Sequence, residues 1–296
     1  MILVVGSTGM LGYEICRLLT SEGRPVRALV RNAFKQERAR QLREIGAQII
    51  QGDLCHVKTL GPALKGVTHI ISTASSMPFS YVPEENDIRL VDKNGMMDLI
   101  NLAAASGVRQ FIYTSLSGNI DGDFPLRNAK RTVELHLRNS GMTFTILRPS
   151  FFMEYWLSPA SGFDPEKGKV QIYGTGNKPV SYISYPDVAK FAVNSLSNPL
   201  ASNVILELGG PDKLTQLEAV SLFEEIAGRK FDYQNYPEEH LRAQRKRLMD
   251  PMQNSVAGLM LSMAEGDPVD MNDTLKGFRI RLRTVRDYAS SKVTTP

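Results

Sequence analysis

Met1-Ile2-Leu3-Val4-Val5-Gly6-Ser7-Thr8-Gly9-Met10-Leu11-Gly12 opens the chain and decides how it folds. Residues 2–5 are a short apolar run, with the length and β-branching of a buried parallel strand. Glycines follow at 6, 9 and 12, and residues 11–19 then carry the pattern of an amphipathic helix. Strand, glycine turn and helix in that order form the corner on which a dinucleotide's pyrophosphate sits. On this reading Gly6 permits the tight turn, Gly9 lets the pyrophosphate approach the backbone, and Gly12 lets the helix pack closely on the strand. Ser7, Thr8, Met10 and Leu11 complete the phosphate-binding set, at a helix N-terminus whose free N–H groups and partial positive charge attract anions. An ordinary glycine-rich turn could use the same residues; the strand before it and the helix after it favour a nucleotide site.

The chain has 296 residues, 42% hydrophobic and 22% charged, enough for one large domain or a domain with a smaller lobe. Its net charge of +4 is mild. Basic clusters at 242–247 and 279–286 neither interleave aromatics nor match a DNA-binding motif, so they read as a solvated helix face and a basic tail, with no nucleic-acid partner. No apolar run approaches the roughly 20 residues of a membrane span, which predicts no membrane association. The first strand starts at once, so no signal or transit peptide is expected. Two cysteines and four scattered histidines offer no metal site, and the expected compartment is the reducing cytoplasm.

Further strand patterns at 26–30, 47–51, 67–72, 109–114 and 143–147 alternate with helix patterns at 35–44, 85–106 and 128–139, and with a short helix holding Leu60 and Leu64. Such alternation predicts an α/β fold: a doubly wound parallel sheet of Rossmann type with right-handed crossovers, over residues 1–150. After Pro149 the regularity breaks. Residues 151–156 are unusually aromatic, and 162–176 read as a Gly- and charge-rich loop. Strands at 180–184 and 203–208 and helices at 186–196, 216–227 and 238–248 predict a smaller α+β C-terminal lobe over 151–296. Segments near 180–210 are expected to return to the core.

The spacing Gly-x-x-Gly-x-x-Gly, with Ser7-Thr8 inside it, resembles the extended and atypical branches of the short-chain dehydrogenase/reductase superfamily. At the end of the second strand, where an acid would accept from the ribose 2′-OH of NAD, stands Arg31, with Lys35 four residues on. Two cations there predict NADP(H) rather than NAD(H), because a guanidinium binds a phosphate bidentately. Gly52-Asp53-Leu54 follows the third strand. The resemblance implies that Asp53 and the next N–H reach the adenine; Asp at such a turn is also a helix cap by default. Thr73, Ala74 and Ser75 end the fourth strand, where small residues let ribose and pyrophosphate lie against the backbone.

Typical members of that superfamily use Ser, Tyr and Lys, the last two spaced Tyr-x-x-x-Lys. Here the lysine candidate is Lys130, and Leu126 stands four residues before it. Leucine cannot transfer a proton, so the usual acid/base is missing. Ser115 stands for the serine, while Tyr113 falls within a strand and reads as core. Ala129-Lys130-Arg131-Thr132-Val133-Glu134 and residues 140–149 strongly resemble the NmrA-like family, over residues 1 to about 208. Isoflavone-reductase-like enzymes and NADPH:quinone reductases share this lysine without the tyrosine. The resemblance implies that Lys130 touches the nicotinamide ribose and takes part in proton transfer. Pro149 and Phe152 join the cofactor set, where nicotinamide and substrate should meet. Aromatics there suit a flat apolar acceptor such as a quinone or flavin ring, or else simply pack the lobe. The leading expectation is an NADPH-dependent reductase of such an acceptor. The alternative is a dinucleotide-sensing regulator that binds a protein partner through its C-terminal lobe, and Lys130 does not choose between them.

Overall fold

The computed structural model describes residues 1–31, 37–77 and 87–293. The chain forms two compact units: Met1–Ser115, Pro125–Leu147 and Val188–Leu206 make one, and Leu116–Phe124, Arg148–Asp187 and Glu207–Pro296 the other.

The first unit is built on a seven-stranded sheet. Its strands are β1 (Ile2–Val5), β2 (Val26–Val30), β3 (Gln48–Gln51), β4 (His69–Ser72), β5 (Gln110–Thr114), β6 (Thr143–Pro149) and β10 (Val204–Leu208), the last two running on into the second unit. The order is β10-β6-β5-β4-β1-β2-β3, and the pairs from β6 through to β3 are all parallel. The chain works outward from β1 in one direction, then returns to β4 on its other side. The point between β1 and β4 is therefore the topological switch, outside which open α/β sheets bind ligands.

Helices α1 (Met10–Ser21), α2 (Glu37–Glu44), α3 (Gly61–Leu64), α4 (Met96–Ala105) and α5 (Pro125–Arg138) link these strands. Leu11, Ile15, Cys16 and Leu19 form the buried stripe of α1, as the amphipathic pattern requires. Leu3, Val5, Ile70, Phe111 and Ile146 of the sheet pack with Leu99, Ile100 and Ala103 of α4 and Val133 and Leu137 of α5. Each of these Leu, Ile, Val and Phe side chains, fully buried, contributes about 1.5–3 kcal/mol.

Two helix expectations shift. The helix read at 128–139 starts earlier, at Pro125, whose fixed φ and missing N–H suit a first turn. The helix read at 85–106 is not uniform: residues 85 and 86 lie outside the described residues, and Arg89–Gly95 is π-helical before α4 begins. A side chain on Gly95 would run into the Leu54 and Leu90 carbonyl oxygens, so glycine is required there.

The second unit contains α6 (Met153–Trp156), β7 (Phe163–Asp164), β8 (Lys169–Tyr173), β9 (Pro179–Val180), β11 (Leu214–Thr215) and β12 (Asp232–Tyr236). Helix α7 (Tyr185–Asn194) begins in this unit and continues into the first. Helices α8 (Gln216–Ala227), α9 (Glu238–Arg247), α10 (Pro251–Glu265), α11 (Asn272–Phe278) and α12 (Val285–Ser290) complete it. Residues 162–176, expected as a loop, hold β7 and β8 instead. Left-handed Gly162 and Gly168 flank β7, and Val170 and Ile172 are buried on β8 while Lys169 is exposed. β8 pairs antiparallel with β7 and parallel with β12. Of the strand expected at 180–184, only Val180 lies in a strand, the two-residue β9 paired with β11; Ile183 makes an isolated bridge to Phe152. Phe163, Phe223 and Tyr288 form the aromatic centre, with successive ring centroids 4.8 and 6.4 Å apart.

Candidate functional site

The glycine corner is built by close packing. Gly6 has φ +82°, and a Cβ there would lie 2.7 Å from both Ala74 N and Thr73 Oγ1. A Cβ on Gly12 would run into Gly6 O and lie 2.7 Å from Gly6 C. The two glycines therefore let the β1 turn, the start of α1 and the segment after β4 share one small volume. Gly9 is different. It is exposed, its backbone is extended (φ −74°, ψ 168°), and its Cβ would meet only Gly6 O, at 3.3 Å. Gly9 caps α1 without a side chain, and no acid stands in the first turn. The first intrahelical bond is Tyr13 N–H to Gly9 O at 2.9 Å. Gly9 N–H is taken by Gly6 O at 3.0 Å, so the N–H groups of residues 10–12 are the donors that the helix end offers an anion. An open glycine at a bare helix N-terminus is a cradle that a pyrophosphate fits. Ser7 is buried and donates its hydroxyl to Leu29 O at 2.7 Å, fixing the turn to β2; Thr8 is partly buried, and Met10 is exposed.

The segment after β4 joins this corner to Lys130. Thr73 N donates to Val5 O at 2.9 Å. One residue on, Ala74 O accepts from Lys130 Nζ at 3.2 Å. Lys130 also pairs with Asp92 Oδ1 at 3.2 Å, and its ammonium stands 5.2 Å from the Tyr113 ring centroid. Lys130 is 4% exposed and Asp92 0%, so the pair is desolvated and each charge offsets the other, while Oδ1 itself accepts no hydrogen bond. Asp92 Oδ2 accepts from Ser76 N at 2.9 Å and Ser76 Oγ at 2.5 Å. Ser75 Oγ accepts from Met77 N at 3.2 Å. Leu126 is buried on the same helix face as Lys130. Tyr113 is core, as read. Burial holds its phenol well above the ordinary range, reinforced by the negative charges of Asp92 and Glu134.

Ser115 has a separate partner. Its buried hydroxyl donates to Glu134 Oε1 at 2.5 Å, and Arg131 Nη1 donates to the same oxygen at 2.7 Å. The proton of Ser115 is thus held by a carboxylate one turn beyond Lys130.

Arg31 lies at the end of β2 with its side chain exposed, and its carbonyl accepts from Gln51 Nε2 at 3.2 Å; Lys35 falls outside the described residues. Gly52 is packed tightly, since a Cβ there would lie 2.7 Å from Leu29 Cδ1. Asp53 does not cap a helix. Its Oδ1 accepts from Cys55 N at 2.9 Å, closing an Asx turn, and Asp53 N donates to Thr59 Oγ1 at 2.9 Å. Leu54 is buried.

Pro149 and Phe152 belong to the second unit. Pro149 O accepts from Ser117 N at 3.1 Å, and Phe152 stacks on Tyr185 with centroids 4.2 Å apart. Around them the aromatic stretch packs on itself: Trp156 meets Phe151 at 5.0 Å, Tyr155 at 5.3 Å and Tyr173 at 6.3 Å, all edge-on. Glu154 Oε2 accepts from Tyr185 N at 3.0 Å. Burial pushes the Glu154 carboxyl up to about 7, against the weaker lowering effect of that hydrogen bond.

Sequence reasoning missed Asp92, Ser76, Glu134 and Glu154. A signal existed for Asp92: it stands on the stripe Ile88, Met96, Leu99 and Ala103, where an apolar residue belongs.

Known proteins of two kinds resemble this chain. The Photosystem II assembly factor Ycf39 of Trieres chinensis is 32% identical over 239 residues, covering 80% of this chain and 72% of the relative. The NAD(P)H azoreductase of Xenophilus azovorans is 33% identical over 234 residues, covering 79% and 76%. Among solved structures, the NADPH-dependent quinone oxidoreductase QOR2 of Escherichia coli, complexed with NADPH, matches with a TM-score of 0.79 at 25% identity over 99% of both chains. The NmrA-like family model matches residues 1–280, so the chain belongs to the NmrA-like family.

Proposed function

We propose that this protein is an NADP(H)-dependent reductase that passes hydride to a small, flat, apolar acceptor of the quinone or flavin type. One observation carries the reading: the open glycine corner and the buried Lys130 are joined through a single residue, Ala74. Ala74 N lies under Gly6 while Ala74 O holds the lysine. When bound, the nicotinamide dinucleotide supplies the hydride. The start of α1 holds the pyrophosphate, Arg31 and Lys35 select the 2′-phosphate, and Asp53 Oδ2 serves the adenine while Oδ1 keeps its turn. Lys130 orients the ribose and supplies fixed positive charge, worth most where water is excluded. Ser115, its proton directed to Glu134, acts as a hydrogen-bond acceptor beside the site rather than as an acid. Leu126 leaves α5 without a phenol, which suits an acceptor that needs no strong protein acid. The reductases among the relatives support this reading, and the expected compartment is a reducing cytoplasm.

The test is a spectrophotometric panel. Purified protein with NADPH should reduce quinones well and simple ketones poorly, because a ketone's alkoxide requires a proton in the transition state. A second reading has its own observation, the Ycf39 assembly factors among the relatives. A dinucleotide-sensing protein with an assembly role would bind NADPH tightly, fail to oxidise it with any acceptor tested, and associate with a protein partner through the second unit. A pull-down with and without NADPH separates the two.

A further inference from the structure

The structure assigns Asp92 as the positioning residue of this site: it holds the Lys130 ammonium and the Ala74–Ser76 segment in one rigid frame. The inference rests on the reading that Lys130 serves the dinucleotide.

Three observations carry it. First, the Asp92 carboxylate is divided between two elements. Oδ1 faces Lys130 Nζ on α5 at 3.2 Å, and Oδ2 accepts both polar hydrogens of Ser76, from N at 2.9 Å and Oγ at 2.5 Å. Second, Lys130 closes the loop by donating to Ala74 O at 3.2 Å. Lysine, carboxylate and the segment after β4 therefore form a ring, and that segment packs directly under Gly6. Third, Asp92 reaches inward from a π-helical turn, Arg89–Gly95, a rare conformation that concentrates at functional sites. The turn is seated by Gly95 against the Leu54 backbone. An unpaired charge at either position would be strongly unfavourable, since both groups are shut off from water.

The groups facing Lys130 are Asp92 from the π-helical turn, Tyr113 from β5 and Ala74 O from the segment after β4, with Arg131 and Glu134 following on α5. Glu134 is engaged by Ser115 and Arg131. Asp92 is the carboxylate that pairs with the lysine. The ammonium donates to Ala74 O and faces Asp92 Oδ1 as an ion pair, an oxygen that accepts no hydrogen bond; the carboxylate therefore orients the lysine through its charge.

The test compares Asp92→Asn, Ser76→Ala and Lys130→Met in the full chain. Asp92→Asn keeps the shape and an acceptor for Ser76 but removes the charge. The NADPH dissociation constant, measured by calorimetry, should rise about fivefold or more in Asp92→Asn, and by less than about twofold when the same change is made in Lys130→Met, because the effect travels through the lysine. The ammonium of Lys130, assigned in a lysine-selective NMR spectrum by its absence from Lys130→Met, should be protected from exchange in wild type and lost from the spectrum in Asp92→Asn. Ser76→Ala should retain that signal and weaken NADPH about twofold. It also tests the frame if Asp92→Asn fails to fold: unchanged affinity in Ser76→Ala would overturn the division of the carboxylate.

With quinone acceptors, Asp92→Asn should lower kcat more than it raises the acceptor KM. Unchanged affinity and an unchanged ammonium signal in Asp92→Asn, with NADPH weakened by Lys130→Met, overturn the role of Asp92 while leaving the site reading intact. Tighter NADPH binding in Asp92→Asn also overturns it, showing the carboxylate to be a competitor for the lysine. Affinity unchanged in Lys130→Met overturns the site reading and the inference together. A wild type that binds NADPH without turnover removes only the reductase reading. The calorimetric and NMR results then decide the role of Asp92.

Discussion

Two glycines three residues apart should fail in opposite ways. A Cβ on Gly12 would run into Gly6 O and lie 2.7 Å from Gly6 C and 2.9 Å from Ser7 Cα. All three atoms are backbone, so nothing can rotate away. Overpacking against backbone costs about 3 kcal/mol or more. At about 2–4 °C per kcal/mol for a chain of this size, Gly12→Ala should lower Tm by about 6–12 °C. Gly9 is exposed and already in extended backbone, which a branched residue adopts freely. Gly9→Val should cost about 1 kcal/mol through the poorer N-cap. Its isopropyl group, however, would occupy the volume over the helix N-terminus. Saturation to a hundred times Kd stabilises a binding-competent protein by about 2.7 kcal/mol, a rise of about 5–10 °C. Differential scanning fluorimetry with and without NADPH reads both effects. Wild type should rise, Gly9→Val should melt near wild type without a rise, and Gly12→Ala should melt low whatever is added. A Gly9→Val protein with the full NADPH shift would refute the assignment of the phosphates to this corner, and a Gly12→Ala protein melting with wild type would refute the packing argument.

Arg31→Asp should weaken NADPH about tenfold or more in calorimetry and leave NADH unweakened, because a carboxylate replaces a charged hydrogen bond worth about 1.5–3 kcal/mol and repels the 2′-phosphate; equal wild-type affinities for the two cofactors would contradict the assignment to NADP(H). Lys130→Ala should reduce quinone turnover by about a hundredfold or more, and full activity in this variant would remove the lysine from the mechanism. Glu154 sets a pH dependence of stability. Its carboxyl titrates near 7 in the folded chain against 4.5 in the free state, so the native protein binds the extra proton between these values. Stability falls as pH rises through that window, by about 3 kcal/mol at full effect. Glu154→Gln should flatten the decline in urea midpoint between pH 5 and about 8, whereas an unchanged slope would place the titration elsewhere.

The parts of the fold that are legible in the sequence are those whose information is local. β1, the glycine turn and α1 are contiguous, and the turn needs glycine for reasons set by atoms within six residues of it, apart from the segment after β4. The alternation of strands and helices up to β6 is likewise written in short periodic runs. The sheet of β7, β8 and β12 was not legible in this way. β12 pairs with β8 from about sixty residues away, and its own residues, Asp232-Tyr-Gln-Asn-Tyr236, are mostly exposed and lack the apolar run that marks a buried strand. The π-helical turn leaves no mark in periodicity either, since one added residue per turn is smaller than the scatter of an apolar stripe.

The site shows a more general reason. Asp92, Lys130 and Glu134 all occupy buried positions on helices whose remaining inward residues are apolar. Read one helix at a time, each charge is an exception to the pattern. It becomes intelligible only when the facing element supplies its partner: Lys130 for Asp92, Ser115 for Glu134. Resemblance to a family can single out a lysine such as Lys130 as a candidate. It cannot show that the lysine is held by an acid thirty-eight positions earlier, because burial and pairing are properties of the assembled sheet and its covering helices. Charges that interrupt an apolar stripe are therefore the first places to look for a site, since a fold retains them only where each is satisfied by another.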